Sequence, residues 1–246
     1  MRRVAGFLLT LAWASDAHAG PPFLTGDPDP ADRGHWEISV GVVDERRPGE
    51  HLYGLPAFEI NYGVAEGFEV SYESSWLRKT EDGAPSRTGY DNSIIGLKWR
   101  ILEEEKHGVT LALKPEWEFR TPHSSAVRNG LAEDENAFVL DLRVQKTVGP
   151  VVLGAALARI APTKSPDGWE YGVFVKKETE KGHTFGIELH GEGSNDFGAR
   201  ELIVNVAAQI KMIESGKLLV GLGREVRNRD EPKLDLRAYL GWQLTF

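Results

Sequence analysis

From Trp36 to the final residue, apolar and polar side chains alternate with a period of two, and that period leaves only β architectures open. The C-terminal stretch shows it best. Leu234, Leu236, Ala238, Leu240, Trp242, Leu244 and Phe246 fall on one face, and Asp235, Arg237, Tyr239, Gly241, Gln243 and Thr245 on the other. Successive side chains of a strand point to opposite sides, so one face is apolar and the other polar. The same division recurs upstream. Trp36, Ile38, Val40 and Val42 alternate with Glu37, Ser39 and Gly41, and Leu111, Leu113, Trp117 and Phe119 with Ala112, Lys114, Glu116, Glu118 and Arg120. Segments 151–160 and 217–226 are apolar in both phases, so their facing stays open. Pro56 and Pro115 fall inside expected strands, where a missing donor predicts bulges.

These segments make about twelve strands, an even number, as single-chain bacterial barrels have. The expected connections alternate in length. Short ones lie at 65–67, 149–150, 180–182 and 214–216, with a longer one near 103–108. Long polar ones lie near 44–51, 77–92, 121–136, 161–168, 193–200 and 227–232. Short turns on one rim and long loops on the other are the outer-membrane arrangement, with the short rim periplasmic.

Alternation also occurs in soluble sandwiches and lipocalin-like barrels. Two further features favour a barrel in lipid. With the first strand rising from the periplasm, Trp36, Tyr62, Phe68, Trp99, Phe185, Trp242 and Phe246 gather toward the lower rim. Trp76, Trp117, Phe119, Phe138, Trp169 and Tyr171 gather toward the upper one. Leu, Ile, Val and Ala lie between, giving two aromatic girdles around an aliphatic belt. The terminal segment YLGWQLTF, with Tyr239, Trp242, Leu244 and Phe246, resembles the C-terminal signal read by outer-membrane assembly machinery. The fold class is therefore all-β: an antiparallel transmembrane β-barrel spanning 35–246, with outer-membrane lipids and the barrel-assembly machinery as its expected partners.

Two segments precede it. Residues 1–19 have the parts of a secretory signal peptide: Arg2 and Arg3, an apolar run from Val4 to Trp13, and Ala17-His18-Ala19 as a cleavage site that would leave Gly20 first. Residues 20–34, GPPFLTGDPDPADRG, hold four Pro and three Gly and suit neither helix nor strand interior. They are expected to form a periplasmic lead-in or to dock in the lumen as a plug. The expected location is the bacterial outer membrane.

PPFLTGDPDP (21–30) followed by GHWE (34–37) resembles the mature N-terminus of a family of outer-membrane proteins. That family is named for an association with the MetA pathway of phenol degradation, or for transport. Its usual form is closer to PPFLTDDPEP, from which Gly26 and Asp29 depart. The resemblance covers about fifteen residues; it implies the barrel and a transport role, and it carries no ligand residues across.

The chain has 246 residues, no Cys and a net charge of −8. An acidic chain without a basic block argues against nucleic acid, and the lack of Cys removes thiolate metal sites. On the polar face, the expected lumen-lining residues are Glu37, Glu59, Lys98, Arg100, Lys114, Glu116, Glu118, Arg120, Asp141, Arg143, Glu188, His190, Lys211 and Arg237. They suit a channel whose charges select a small solute, or an interior stiffened by Glu–Arg/Lys pairs. Glu188, His190 and Glu192 share a face, but a lone strand His is more often a hydrogen-bonded lumen residue than a metal ligand. Ser71, Ser74, Ser75 and Ser93 lie in no nucleophile motif, and no phosphate-binding, dinucleotide or zinc-hydrolase motif is present. No catalytic residue, metal or cofactor is expected. The first reading is a passive channel or uptake protein for small, aromatic or hydrophobic molecules. The alternatives are a sealed structural or surface-interaction barrel, then an outer-membrane lipid-modifying enzyme.

Overall fold

A computed structural model describes residues 20–195, 199–228 and 232–246, the side chains of 199, 200 and 228 excepted. The expected signal peptide lies outside the described residues. Strands β1 (Trp36–Arg47), β2 (Glu50–Ala65), β3 (Phe68–Glu81), β4 (Arg87–Tyr90), β5 (Ser93–Leu102), β6 (Thr110–Phe119) and β7 (Ala137–Val148) form the first half. The second half is β8 (Val151–Pro162), β9 (Gly168–Glu178), β10 (Thr184–Ser194), β11 (Ala199–Ile213), β12 (Gly216–Asn228) and β13 (Leu236–Thr245). Two one-turn helices, α1 (Glu104–His107) and α2 (Ser125–Arg128), sit in connections.

Each strand pairs antiparallel with its neighbour, and β1 bonds both β2 and β13, so the sheet closes. At the seam, Val40 stands opposite Phe58 on one side and Trp242 on the other. The Trp36 N–H donates to the Phe246 carbonyl at 2.8 Å, and the Phe246 N–H returns the bond at 3.1 Å. Closure leaves no unpaired edge, the condition for a sheet surrounded by hydrocarbon. β4 is not a wall strand; it pairs with the upper end of β3 as a hairpin above the rim.

The facing follows the alternation. Leu97, Leu140, Leu142, Val173 and Ile187 are exposed on the outside, while Glu69, Lys114, Glu116, Asp141, Arg143 and Glu188 are buried within. An exposed aliphatic band around a buried charged interior is the inverse of a water-soluble barrel. Aromatic residues pair at both margins. Trp36 lies on Tyr62 at 4.5 Å between ring centroids and Phe68 on Trp99 at 5.8 Å. At the opposite rim Trp117 stands beside Phe138, and Trp76 lies 6.5 Å from Tyr90. The two ambiguous segments resolve: Leu153 and Leu157 face out with Ala158 inward, and Leu222 and Val226 face out with Leu219 and Glu225 inward.

Tyr239 shows how the closing strand is fitted. It points inward, and its phenol lies across Gly41 and Gly241, which are opposite each other in the β1–β13 ladder. A Cβ at either glycine would come within 2.6 Å of the hydroxyl, so both positions must lack a side chain. Trp242, Leu244 and Phe246 face outward, so the expected assembly-signal residues divide between the two faces.

Several expectations need correction. The stretch 44–51 is not a long loop: β1 and β2 continue to a two-residue Pro48-Gly49 turn, with Gly49 at φ +76°. Likewise, the expected connection 77–92 is shortened by β3, which runs to Glu81. Pro56 does lie in a register shift, between Gly54 and Ala57 of β2. Pro115 does not. It stands opposite Leu140 with the register unchanged on both sides, because its missing donor only interrupts the ladder against β5 for two pairs. Leu234 is not on the outer face. It precedes β13 and is buried with Leu24 and Ile203, its N–H donating to Glu225 Oε2 at 2.7 Å.

Candidate functional site

The interior is occupied by residues 20–34, which follow the inner wall as a ring. Gly20 lies beside Glu59 of β2. The Pro22 carbonyl accepts a hydrogen bond from Asn205 of β11 at 3.2 Å. Phe23 packs on Ala207 of β11 and beneath the Lys176 ammonium of β9, 4.3 Å from its ring. Leu24 and Thr25 donate their backbone N–H groups to the two oxygens of Glu188 on β10, at 2.7 and 2.6 Å. Asn205 Nδ2 adds a third bond to the same carboxylate at 2.6 Å. Asp27 meets Lys176 at 3.3 Å, and its carbonyl accepts from Arg143 of β7 at 3.4 Å. The Asp29 carbonyl accepts from Lys98 of β5 at 3.0 Å, and its carboxylate bonds Gln145 of β7. Ala31 N–H donates to Glu69 of β3 at 2.7 Å. The Gly34 N–H then reaches the Gly63 carbonyl of β2 at 2.7 Å, just before β1 begins.

The sequence explains why this segment needs the wall. Pro21, Pro22, Pro28 and Pro30 lack donors and break any ladder. The remaining buried donors and acceptors must be satisfied outside the segment. Carboxylates of the wall take the N–H groups of Leu24, Thr25 and Ala31; Lys98, Arg143 and Asn205 supply donors for its carbonyls. Small wall residues make room. A Cβ on Gly186 would come within 2.7 Å of Phe23, and one on Gly172 within 2.9 Å of Thr25 Cβ. Burial pushes the Asp27 carboxyl up, but Lys176, Lys98 and Arg143 outweigh it and hold it at about 2. Burial and the neighbouring Asp27 charge move Asp29 the other way, upward.

Of the expected lumen residues, Lys98, Arg143 and Glu188 bind the ring directly. Arg100 reaches Asp29 at 3.6 Å, and His190 Nδ1 lies 3.5 Å from Thr25 Oγ1. Others pair along the wall: Lys114 with Glu116 at 2.6 Å and with Glu73 at 3.2 Å, and Arg143 with Asp141 at 2.6 Å. Glu118 accepts from Asn92 at 3.1 Å, and Arg237 meets Glu45 at 3.1 Å. Glu37 and Lys211 are half-buried, and Lys211 turns to Glu214 at 3.2 Å. Arg120 is a correction. It lies one residue beyond β6, exposed, and pairs with Asp134 of the loop at 2.7 Å, because the ladder that would point it inward has ended. Glu69 and Glu73 are interior as well. Glu170, Lys176 and Asn205 are interior residues missing from the candidate set; the alternation that placed their neighbours inward marks them equally.

A second segment folds inward at one side of the loop-bearing rim. The connection 120–136 folds against the upper, inward side of β2 and β3, where Ala126 and Leu131 pack on Leu77 and Leu52. Ser124 Oγ donates to the Tyr90 carbonyl at 2.7 Å, and the Tyr90 N–H donates to Ser125 Oγ at 2.8 Å. Between the ring and β7–β10 lies a cavity of about 10 Å³, lined by Thr25, Asp141, Glu170 and His190 together with Leu24, Ala156 and Ala158. That is the space of a single water. His190 Nε2 lies 3.1 Å from Glu170, and the Glu188 oxygens are taken up by amides. This donor set holds a ring in place.

A closed, twelve-membered antiparallel wall with an apolar exterior and a charged interior is the fold of bacterial outer-membrane barrels. Solved structures share it. The COG4313 outer membrane channel from Pseudomonas putida F1 superposes with a TM-score of 0.71 at 14% identity, over 90% of this chain and 98% of that one. The KdgM porin, in complex with disordered oligogalacturonate, gives 0.57 at 17% identity, over 85% and 99%. The translocator domain of the autotransporter NalP from Neisseria meningitidis gives 0.50 at 9% identity, over 89% and 91%. No family model and no curated protein sequence matches the chain.

Proposed function

We propose that the protein is an outer-membrane channel for small solutes, with the termini-bearing rim in the periplasm and the ring of residues 20–34 acting as its gate. One observation carries this reading: what fills the interior is largely a separate segment, hydrogen-bonded to a polar wall, not wall side chains meeting across the barrel. A segment held mainly by single hydrogen bonds and ion pairs can leave without unfolding the barrel, and its departure exposes a passage lined by Lys98, Lys114, Arg143, Glu69 and Glu188. The mixed charge of that passage suits polar or amphipathic solutes. The resemblance at residues 21–37 and the fold shared with channels support transport, with small aromatic compounds as the solute class to test first.

The competing reading, a sealed barrel, is favoured by the direct wall pairs of Lys114 with Glu73 and Glu116. Planar-bilayer recordings separate the two. The mature chain is expected to conduct weakly or intermittently, and a variant lacking residues 21–31 to conduct steadily. If both are silent while each shows the heat-modifiable gel mobility of a folded barrel, the channel reading fails and the sealed barrel stands.

A further inference from the structure

Some interior carboxylates have no Lys or Arg partner within the wall; Glu118 and Glu188 are compensated by amide donors, and Glu59 stands beside a like charge. Glu59 of β2 is buried, and Asn61 Nδ2 donates to its Oε1 at 2.8 Å. Among the described residues no Lys or Arg lies within ion-pair distance of it. Directly opposite in the β2–β3 ladder stands Glu73, a like charge, and like charges facing each other across strands are destabilising. The nearby cation, Lys114, is already divided between Glu73 and Glu116. Lys114 thus lies beside two other carboxylates and reaches no oxygen of Glu59, in an interior where an uncompensated charge is costly.

Gly20 is the residue that approaches Glu59. A Cβ built on it would lie 3.8 Å from Oε1 and 3.8 Å from Oε2. In a chain that begins at Gly20, the amino nitrogen is free to turn about the Cα–C bond. Because the C–N and C–C bonds are nearly equal in length, that rotation can carry the nitrogen to the place a Cβ would hold. There it sits within ion-pair reach of both carboxylate oxygens. A side chain at position 20 would compete for the same space.

We infer that cleavage after Ala19 creates the missing cation: the new α-ammonium of Gly20 pairs with Glu59 and pins the start of the ring to the wall. The inference rests on the export reading of residues 1–19 and is independent of transport. The chemistry is hydrolysis by a signal peptidase. Water adds across the Ala19–Gly20 amide, the C–N bond breaks, Ala19 leaves as a carboxylate carrying the water's oxygen, and the Gly20 nitrogen takes up both of its protons. An uncleaved amide nitrogen carries no charge, whereas a free α-amine, with an ordinary pKa of about 8, is mostly protonated at neutral pH. The ring is thus completed electrostatically only in the processed chain.

The test uses the full mature protein, folded in detergent, its N-terminus established by intact mass. A trace of acetic anhydride is added at neutral pH, and acetylation of the Gly20 amine is followed by mass spectrometry of the N-terminal peptide. Pairing should slow acetylation about tenfold relative to Glu59→Gln, one logarithmic unit in the free-amine fraction. Glu66→Gln, at the exposed β2–β3 turn, should label as slowly as the parent. A chain with one extra Ala before Gly20 should label as fast as Glu59→Gln, because its amine is displaced from the carboxylate. Should Glu59→Gln fail to fold, the parent and the extended chain decide the matter between them. Equal rates in parent and extended chain, or a mature chain that does not start at Gly20, overturn the inference.

Discussion

Glu188→Gln is the sharpest perturbation of the ring, because one side chain carries two of its backbone anchors. The carboxylate accepts from Leu24 at 2.7 Å and Thr25 at 2.6 Å, with Asn205 as a third donor, and is 2% exposed. A hydrogen bond to a charged group is worth about 1.5–3 kcal/mol, and a neutral one about 1 kcal/mol. Glutamine keeps one carbonyl oxygen, so one ring amide loses its partner and the other bond loses its charge. Docking should weaken by about 2–4 kcal/mol, which raises the undocked population by about 30- to 800-fold at 1.4 kcal/mol per decade. Hydrogen exchange read by mass spectrometry on the 20–34 peptide measures this directly, because an undocked ring exposes the Leu24, Thr25 and Ala31 amides. Glu118→Gln, which releases Asn92 near the loop rim, should leave the ring peptide unaltered. Ring exchange in Glu188→Gln within threefold of the parent, with the strands still protected, would refute the view that this carboxylate holds the segment in place.

How far the sequence foretells such a site depends on what surrounds each residue. The facing of β7 and β13 is legible because outside and inside differ so sharply in polarity that each side chain declares its side. Where both sides are wet, the signal vanishes. Residues 44–47 and 50–53 read as loop because Asp44, Glu45, Arg46 and Arg47 are polar in both phases, yet the ladder continues there, with Arg46 opposite His51. Leu234 errs in the opposite sense: its period continues that of β13, but the chain has left the ladder and turned inward onto Leu24. Arg120 obeys the alternation of β6 for one residue too many. The composition of residues 20–34 excludes strand and helix, but nothing local distinguishes Glu188 and Glu69, which receive ring amides, from Glu118, which receives Asn92. That choice is made by the path of a segment far away in sequence, so only the assembled barrel displays it.

Two further substitutions test the exterior and the ring's charge. Leu142→Arg places a cation in the middle of the outward face of β7; it should cost about 2–4 kcal/mol in refolding titrations into lipid vesicles, and a cost near zero would mean that this face meets water. Asp27→Asn tests the ion pairing of the ring. Its carboxyl is held at about 2 against an ordinary 3.8, and a depressed carboxylate contributes stability that is full above its ordinary value and lost as pH falls toward the lowered one. The full difference would be about 2 kcal/mol, but the carboxylate is 43% exposed and water screens it, so about 1 kcal/mol of docking is expected, present at pH 4 and above and lost toward pH 2. Pepsin works in that window, and the Phe23–Leu24 bond is shielded only while the ring is docked. Cleavage there, corrected with a reference peptide, should rise about fivefold from pH 4 to pH 2 in the parent. In Asp27→Asn it should already be fast at pH 4 and change less, because the group that loses its charge is gone. Asp29 remains in both chains but loses the upward push of the Asp27 charge in the variant, so the difference between the two profiles reports the Asp27 charge together with its effect on Asp29. A parent profile as flat as the variant's would mean that Lys176, Lys98 and Arg143 do not hold the ring through this carboxylate.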